Sequence, residues 1–528
     1  MSCLTCSNCG FVNLLRPEPH VQQNLNAIQS SDDLVSQLLR GSRPLLDADH
    51  AFIDAAIAKL ERLRCLYDDQ LQGIQTRCGP VLKSLENHRS VYAPIRRLPR
   101  DVLIEIFHLV CAPSNLGEGA YWASGARNHD SLDLSGPLWV LGRVCGLWRD
   151  TLHTSPASWA QNVVLKSPFS KHAPEILQTY LEHTGEHPLN LTVTCDRPNA
   201  GASEIMSLVI QSCYRWKKVC IFTHLNHTRS LDSISHLPVL QTITLDVLED
   251  HNFDYRLDMC LNAPQLWQAS LSSQGMHQVR LPPSITHYSG CITGVEDFQL
   301  LSHLPKLRTC SLRPFWKSSV KLRVEAPVIM AELRHLSVDC ADFVNFITAP
   351  LLQHLTVFGS PEQKSACITS FLHRSGCHLE SFSCIERTLV ELSSESPALI
   401  GNMLSSEACS TVSRLKVQLD PQVDQVAEAL SLPSVLPNLR HLILCIVAPA
   451  EKDEWYPILD MIRSRRDAGL IKIVELQFAD DECASMYGYD IIAETRALAG
   501  DRLEMRVEAW NPPAMEDWAR FHGSTVIG

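Results

Sequence analysis

No apolar run in the 528-residue chain is long enough to cross a membrane: the longest, Leu442 to Ala450, has nine residues, about half of what a spanning helix requires. The amino terminus also lacks the basic-then-apolar layout of an export signal. A cationic surplus is missing too. Lys and Arg number 46 against 58 Asp and Glu, a net charge of −12, and a chain with that balance and no long basic block is a poor match to a phosphate backbone. These absences argue against a membrane span and against nucleic-acid recognition, and imply an intracellular protein, cytoplasmic or nuclear. There is no GxxxxGK[ST] phosphate loop, and Gly117-x-Gly119 lacks the third glycine and preceding strand of a dinucleotide site. His183 and His187 are four apart, but Gly185 and Pro188 deny them the rigid helix of a zinc pair, and Ser318-x-x-Lys321 stands alone. No catalytic constellation emerges, so the chain reads as a non-enzyme with no cofactor.

What is present is an ordinary globular composition, 45% hydrophobic and 20% charged with 23 Gly and 30 Pro, enough for several domains or a smaller number if one is a repeat array. The 20 cysteines sit mostly inside apolar segments such as Val219-Cys220-Ile221 and Leu444-Cys445-Ile446, where a thiol packs as a small hydrophobe and stays free in a reducing compartment. Cys3, Cys6 and Cys9 are the exception, with two overlapping C-x2-C spacings. A structural zinc wants four ligands and no second pair follows, so a flexible terminus is the preferred reading and a metal site the alternative.

Residues 1–46 show little periodicity and read as a flexible leader. From 47 to 93 a helical, coiled-coil-like arm is expected. Steps of four and three residues pick out Ile53, Ile57, Leu60, Arg64, Tyr67, Leu71, Ile74, Cys78, Val81, Leu85, His88 and Tyr92, of which ten are apolar. Gly79-Pro80 predicts a kink or two successive helices. The arm is read as packed on its own domain, with homodimerisation through the stripe as the alternative.

In the next segment, 94–160, Leu98-Pro99-Arg100-Asp101 opens a helix, with Pro99 early and Asp101 in the first turn. Val102 and Ile106, and Leu103 and Phe107, follow at four-residue spacing, and Pro113 stops the helix. An insertion at 113–137, rich in Gly and Pro, reads as a long loop. A second helical piece from Leu138 places Leu141, Cys145, Trp148 and Leu152 on one face.

LPRDVLIEIF at 98–107 and VCGLWRDTL at 144–152 together resemble an F-box, with its LPxExLxxIF-like opening and VCxxWxxL-like second half. Asp101 stands where the family usually has Glu, and the 25-residue insertion is longer than in the compact motif. The preceding PIRRLP at 94–99 with a helical stripe ahead of it resembles the arrangement in many F-box proteins of mushroom-forming fungi.

Residues 161–510 repeat a string of apolar-Pro-x-Leu-x-x-apolar-x-apolar five times, with Leu240, Leu266, Leu307, Leu352 and Leu439 as the Leu. Five related strings lack the proline: Trp216-Val219-Ile221, Leu333-Leu336-Val338, Leu379-Phe382-Cys384, Val412-Leu415-Val417 and Ile473-Leu476-Phe478. Several spacings fall in the leucine-rich-repeat range. The Asn or Cys usual beyond each strand is absent, so a degenerate leucine-rich-repeat-like array is expected. Its strands should stack in parallel, with helices such as Ala173–His183 and Tyr456–Asp467 on the other side. The fold class is thus α+β or α/β solenoid: an arm and a small helical module, then an irregular repeat array and a tail at 511–528.

The F-box resemblance implies docking on the Skp-type adaptor of a cullin-RING ubiquitin ligase (an SCF complex), with the repeats binding a protein substrate. Carried over from the motif, the adaptor-binding residues are Leu98, Pro99, Leu103, Ile106, Phe107, Val144, Cys145 and Trp148, each with a rival role in the module's own core. An adaptor-independent protein-interaction scaffold is the alternative.

Overall fold

The computed structural model describes residues 4–5, 12–13, 34–40, 44, 46–111, 129–195, 201–224, 227–248, 256–272, 275–314, 326–358, 365–385, 403–419, 423–446, 452–478, 494, 496–500 and 503–509. Two units divide the chain, Met1–Leu98 and Pro99–Gly528.

In the first unit, β1 (Leu4–Thr5) pairs antiparallel with β2 (Val12–Asn13), and helix α1 covers 34–39. The leader therefore holds short ordered elements where none was expected; Cys3, Cys6 and Cys9 lie outside the described residues. Helix α2 (Asp47–Val91) is 45 residues long. Its start is fixed by Asp49, whose carboxylate accepts the Leu46 amide at 3.0 Å while its own amide donates to the Leu46 carbonyl at 2.8 Å. Asp47 and Asp49 both place negative charge at the positive end of the helix.

Of the two forms expected at Gly79-Pro80, a kink or two successive helices, the second is not seen. The helix is not divided there, because it runs on through Pro80: proline forfeits one intrahelical bond, and the long stretches on either side propagate the helix regardless. Much of the apolar stripe is exposed. Leu60, Leu85, Ile57, Leu71, Ile74 and Val81 are 42% to 65% exposed.

The second unit opens with four helices, α3 (Arg100–Cys111), α4 (Pro137–Val144), α5 (Gly146–His153) and α6 (Pro156–Ala160). The strands then follow as β3 (Val163–Lys166), β4 (Leu189–Cys195), β5 (Trp216–His224), β6 (Thr242–Leu248), β7 (Gln268–Leu271), β8 (His287–Ile292), β9 (Thr309–Pro314), β10 (Val328–Ile329), β11 (His335–Val338), β12 (Ile347–Thr348), β13 (His354–Phe358), β14 (Ser381–Ile385), β15 (Arg414–Leu419), β16 (His441–Ile446), β17 (Ile473–Phe478) and β18 (Glu504–Ala509). Strands β10 and β12 pair with each other; the other fourteen from β3 onward form one sheet in sequential order, every neighbouring pair parallel. The molecule is of α/β class, with a long parallel sheet.

The repeated string explains the register. In each copy the residue before proline accepts a hydrogen bond from the amide three positions on, Leu240 to Leu237 at 3.5 Å, Leu266 to Ala263 at 3.1 Å and Leu439 to Leu436 at 3.0 Å. That is a β-turn with proline at its second position, where the fixed φ suits it. The turn feeds the strand, and its last two apolar positions point to one side. They align across strands: Cys310, Leu336, Leu355, Phe382, Leu415, Leu442 and Val474 form one row, each at most 2% exposed. Burying each such Leu is worth about 1.5–3 kcal/mol. In β17 the expected frame is two residues late. Ile471, Val474 and Leu476 occupy the equivalent positions, at most 2% exposed, and Ile473 belongs to the other face beside His441.

Sequence reading missed β3, β4, β8 and β18. The β8 copy was hidden by Ile285 in place of Leu and by Gly290 at the last inward position, although the Ile285 amide makes the same turn bond, to Pro282, at 3.3 Å. Gly290 is glycine because a Cβ there would collide with the Tyr288 ring; one large inward residue takes the room of two. The helix expected at Ala173–His183 is present as α7 (Ala173–Thr184), and that at Tyr456–Asp467 as Lys452–Asp467. The 511–528 tail lies outside the described residues. Among the described residues no helix is long and apolar enough to cross a membrane.

Candidate functional site

Helix α3 begins just after Pro99, whose carbonyl accepts the Leu103 amide at 3.1 Å. Its inner face carries Leu103 and Phe107, both 0% exposed; α3 packs against α4 and α5, whose Leu141 and Leu152 are buried at 8% and 1%. The Phe107 and Trp148 rings pack with centroids 5.1 Å apart, tilted by 58°. The two sequence halves therefore fold against each other despite the insertion between them.

The second half departs from expectation in one respect. It is two helices, not one, because Cys145 is extended (φ −162°, ψ 169°) and separates α4 from α5. Gly142 and Gly146 flank the break, where backbone freedom makes helix continuation costly. Arg149 of α5 reaches back to donate from Nε to the Gly142 carbonyl at 3.1 Å, supplying a partner to an α4 carbonyl near the helix end.

The end of the insertion is structured as well. Ser131 donates its amide to the Val164 carbonyl at 2.7 Å, and its hydroxyl accepts the Val164 amide at 3.0 Å, so residues before α4 are stitched to β3. The part of the expected loop at 113–128 lies outside the described residues. Gly136, which precedes α4, is required by the tight turn: a Cβ would stand 2.9 Å from the Asp133 carbonyl oxygen. Trp139 donates Nε1 to the Ser131 carbonyl at 2.9 Å, Trp159 donates Nε1 to the Leu152 carbonyl at 3.2 Å, and His108 Nε2 lies 2.9 Å from Ser158 Oγ. Trp139, Trp159 and Tyr180 pack edge to face, with centroids 5.1 to 6.1 Å apart. This cluster bonds α4 and α6 to α7.

The eight motif residues fall into three sets. Leu103 and Phe107 are wholly interior to the module. Ile106, Cys145 and Trp148 are half-buried at its surface, and Leu98, half-buried, ends the first unit. Pro99 is exposed, and Val144 is 55% exposed. Apolar residues outside the motif set share this exposure: Val102 at 39%, Val110 at 54% and Val140 at 46%. Val102, Ile106 and Val110 lie on one stripe of α3, and Val140 and Val144 on one stripe of α4. Their signal in the sequence was the four-residue spacing beside, not on, the Leu103–Phe107 face.

Beside α3 lies a cavity of about 310 Å³ whose lining includes Glu105, His108, Cys111, Asp130, Trp139 and Tyr180. Burial pushes the Cys111 thiol up to about 11 and raises the Tyr180 phenol. It also raises the Asp130 carboxyl, opposed by the Leu132 amide that donates to it. A thiol that far above neutrality is no nucleophile.

The other side of the sheet carries rows of polar residues that are themselves buried or half-buried. Ser270, Ser289, Ser311, Ser337, Thr356 and Ser383 stand in one row across six adjacent strands, continued by Lys416, Ile443 and Glu475. A second row carries His287, Thr309, His335, His354, Ser381, Arg414 and His441, with the His335 and His354 rings stacked at 4.3 Å. Burial lowers His287, His335 and His354 to about 4, helped by Arg308, Arg334 and Arg414 and by the neighbouring imidazoles, so they are neutral at pH 7. Glu475 lies 3.4 Å from His441, whose side chain holds its carboxyl below the usual range, while desolvation lowers the Lys416 amine. Ser311, Ser337, Thr356, Ser383, Lys416 and Glu475 are at most 6% exposed, so these polar rows pack inside the molecule rather than face a partner.

No family model matches the chain. A search of curated proteins likewise finds no match.

Proposed function

We propose that this chain is the substrate-receptor subunit of an SCF-type cullin-RING ubiquitin ligase. The F-box-like module α3–α6 docks the Skp-type adaptor, and the sheet, read as a degenerate leucine-rich-repeat-like solenoid, holds a protein substrate. Ubiquitin transfer then depends on proximity alone, with no catalytic group on this chain.

The observation that carries the reading is the joining of two separated motif halves in one small helical fold. Leu103, Phe107, Leu141 and Leu152 form its core, while Val102, Val110, Val140 and Val144 remain exposed. A small module with uncovered apolar stripes on two helices is suited to a lasting helical partner. The solenoid reading is supported by the sequential parallel order and by the proline turn that recurs at the strand entrances.

The test is co-purification of the adaptor with the full chain. Wild type should retain it, and Trp148→Ala should weaken it by about 2 kcal/mol, as expected for an aromatic anchor. No retention by wild type would favour the adaptor-independent scaffold instead.

A further inference from the structure

We infer that helix α2 is a self-association element, and that two copies of the chain pair through it in antiparallel orientation. The inference does not depend on adaptor docking.

The stripe of α2 runs from Ile53 to Tyr92, about 59 Å at 1.5 Å per residue. Along it Tyr67, Leu60, Leu85, Ile57, Leu71, Ile74, Val81 and Tyr92 are between 37% and 75% exposed. The 4-3 spacing holds over more than five heptads, the pattern that seats one helix on another with knobs in holes. Counting the stripe and the positions flanking it from 53 to 92 gives 24 residues per chain, within the 20–30 a side typical of a stable interface. Pro80 and Gly79 fall on the opposite side, two and one positions after Cys78 of the stripe, so neither interrupts the seam.

Charge selects the occupant and its direction. Residues 47–69 carry six carboxylates and three cations, whereas 70–92 carry three cations and one carboxylate. A parallel pair would set acidic half on acidic half and place Arg64, a stripe residue, against its own copy. An antiparallel pair centred between Leu71 and Ile74 sets acidic half on basic half. It also faces Leu71 with Ile74 of the second copy, Arg64 with Val81, and Asp54 with Arg89. The second-copy contacts recur twice by symmetry, since a two-fold interface is self-complementary.

Sedimentation equilibrium of the full chain across the micromolar range tests this. The expected mass is twice 59.1 kDa, falling to that of the single chain on dilution. Leu71→Glu with Ile74→Glu should leave a monomer with the same β-sheet circular dichroism as wild type. Asp54→Arg and Arg89→Asp should each raise the dissociation constant several-fold, and the two together should restore it. A single-chain mass at every concentration overturns self-association. A dimer indifferent to both charge reversals overturns the antiparallel arrangement. Adaptor capture by the Glu variant, measured in parallel, reports on the module separately.

Discussion

Single residues carry much of the order in this molecule through buried polar contacts. Arg465, 1% exposed, donates from Nε to the Leu430 carbonyl and from its terminal nitrogens to the carbonyls of Leu432, Val435 and Leu436. It thereby shapes the turn in which Leu436 takes a positive φ of 48°. Burial lowers its guanidinium to about 10, still charged at pH 7. Arg465→Met keeps the volume but strands several carbonyls, and thermal unfolding should show a loss of about 3–5 kcal/mol. Arg374, whose Nη2 donates to Val344 and Ile347 at 2.7 and 2.9 Å, plays the same part in an earlier loop. Gly290→Ala should destabilise as well, by about 1–3 kcal/mol of overpacking against Tyr288.

The three low histidines make a pH prediction. In the unfolded chain an imidazole titrates near 6.5, whereas His287, His335 and His354 titrate at about 4. Between those values the unfolded state binds more protons, so stability falls as pH drops from about 6.5 to 4. Allowing for their partial exposure, the loss is roughly 1–2 kcal/mol per histidine. Denaturant melts at pH 7 and pH 4.5 check this. His335→Gln should flatten the dependence; an unchanged slope would remove the histidine row from the account.

At the scale of elements, legibility followed local periodicity. The ten strings all lie on strands because their alternate apolar residues, led in five of them by a proline turn, are written within nine positions of one another. Strands β3 and β4 had no such turn, and β8 disguised it with Tyr288 and Gly290. The core of the small helical module was legible at Leu103 and Phe107 by helical spacing. The break at Cys145 was not, since apolar spacing passes through it unchanged. The attachment of Ser131 to Val164 spans 33 residues, and no local pattern encodes a contact of that range. In α2 Pro80 sits in a continuous helix rather than between two successive ones. Replacing it with Ala should stabilise the helix by up to about 3 kcal/mol, visible as a higher melting temperature of the helical signal in circular dichroism. A drop in that temperature would mean the proline sets a bend the structure needs.

At the scale of the whole molecule, the described elements form two units, one built around the long helix and the other around the parallel sheet. Within the second, helices α3–α6 are welded to the sheet by the Ser131–Val164 bonds and the Trp139–Trp159–Tyr180 cluster. These contacts hold α4 and α6 in place against β3 and α7. The most direct test is calorimetric titration of the full chain with purified Skp-type adaptor, for wild type and for Val140→Asp with Val144→Asp, two exposed positions whose change leaves the Leu103–Phe107 core intact. The account predicts one adaptor bound per chain by wild type and none by the variant, with the same melting temperature. Equal binding by both, or none by wild type, would contradict it.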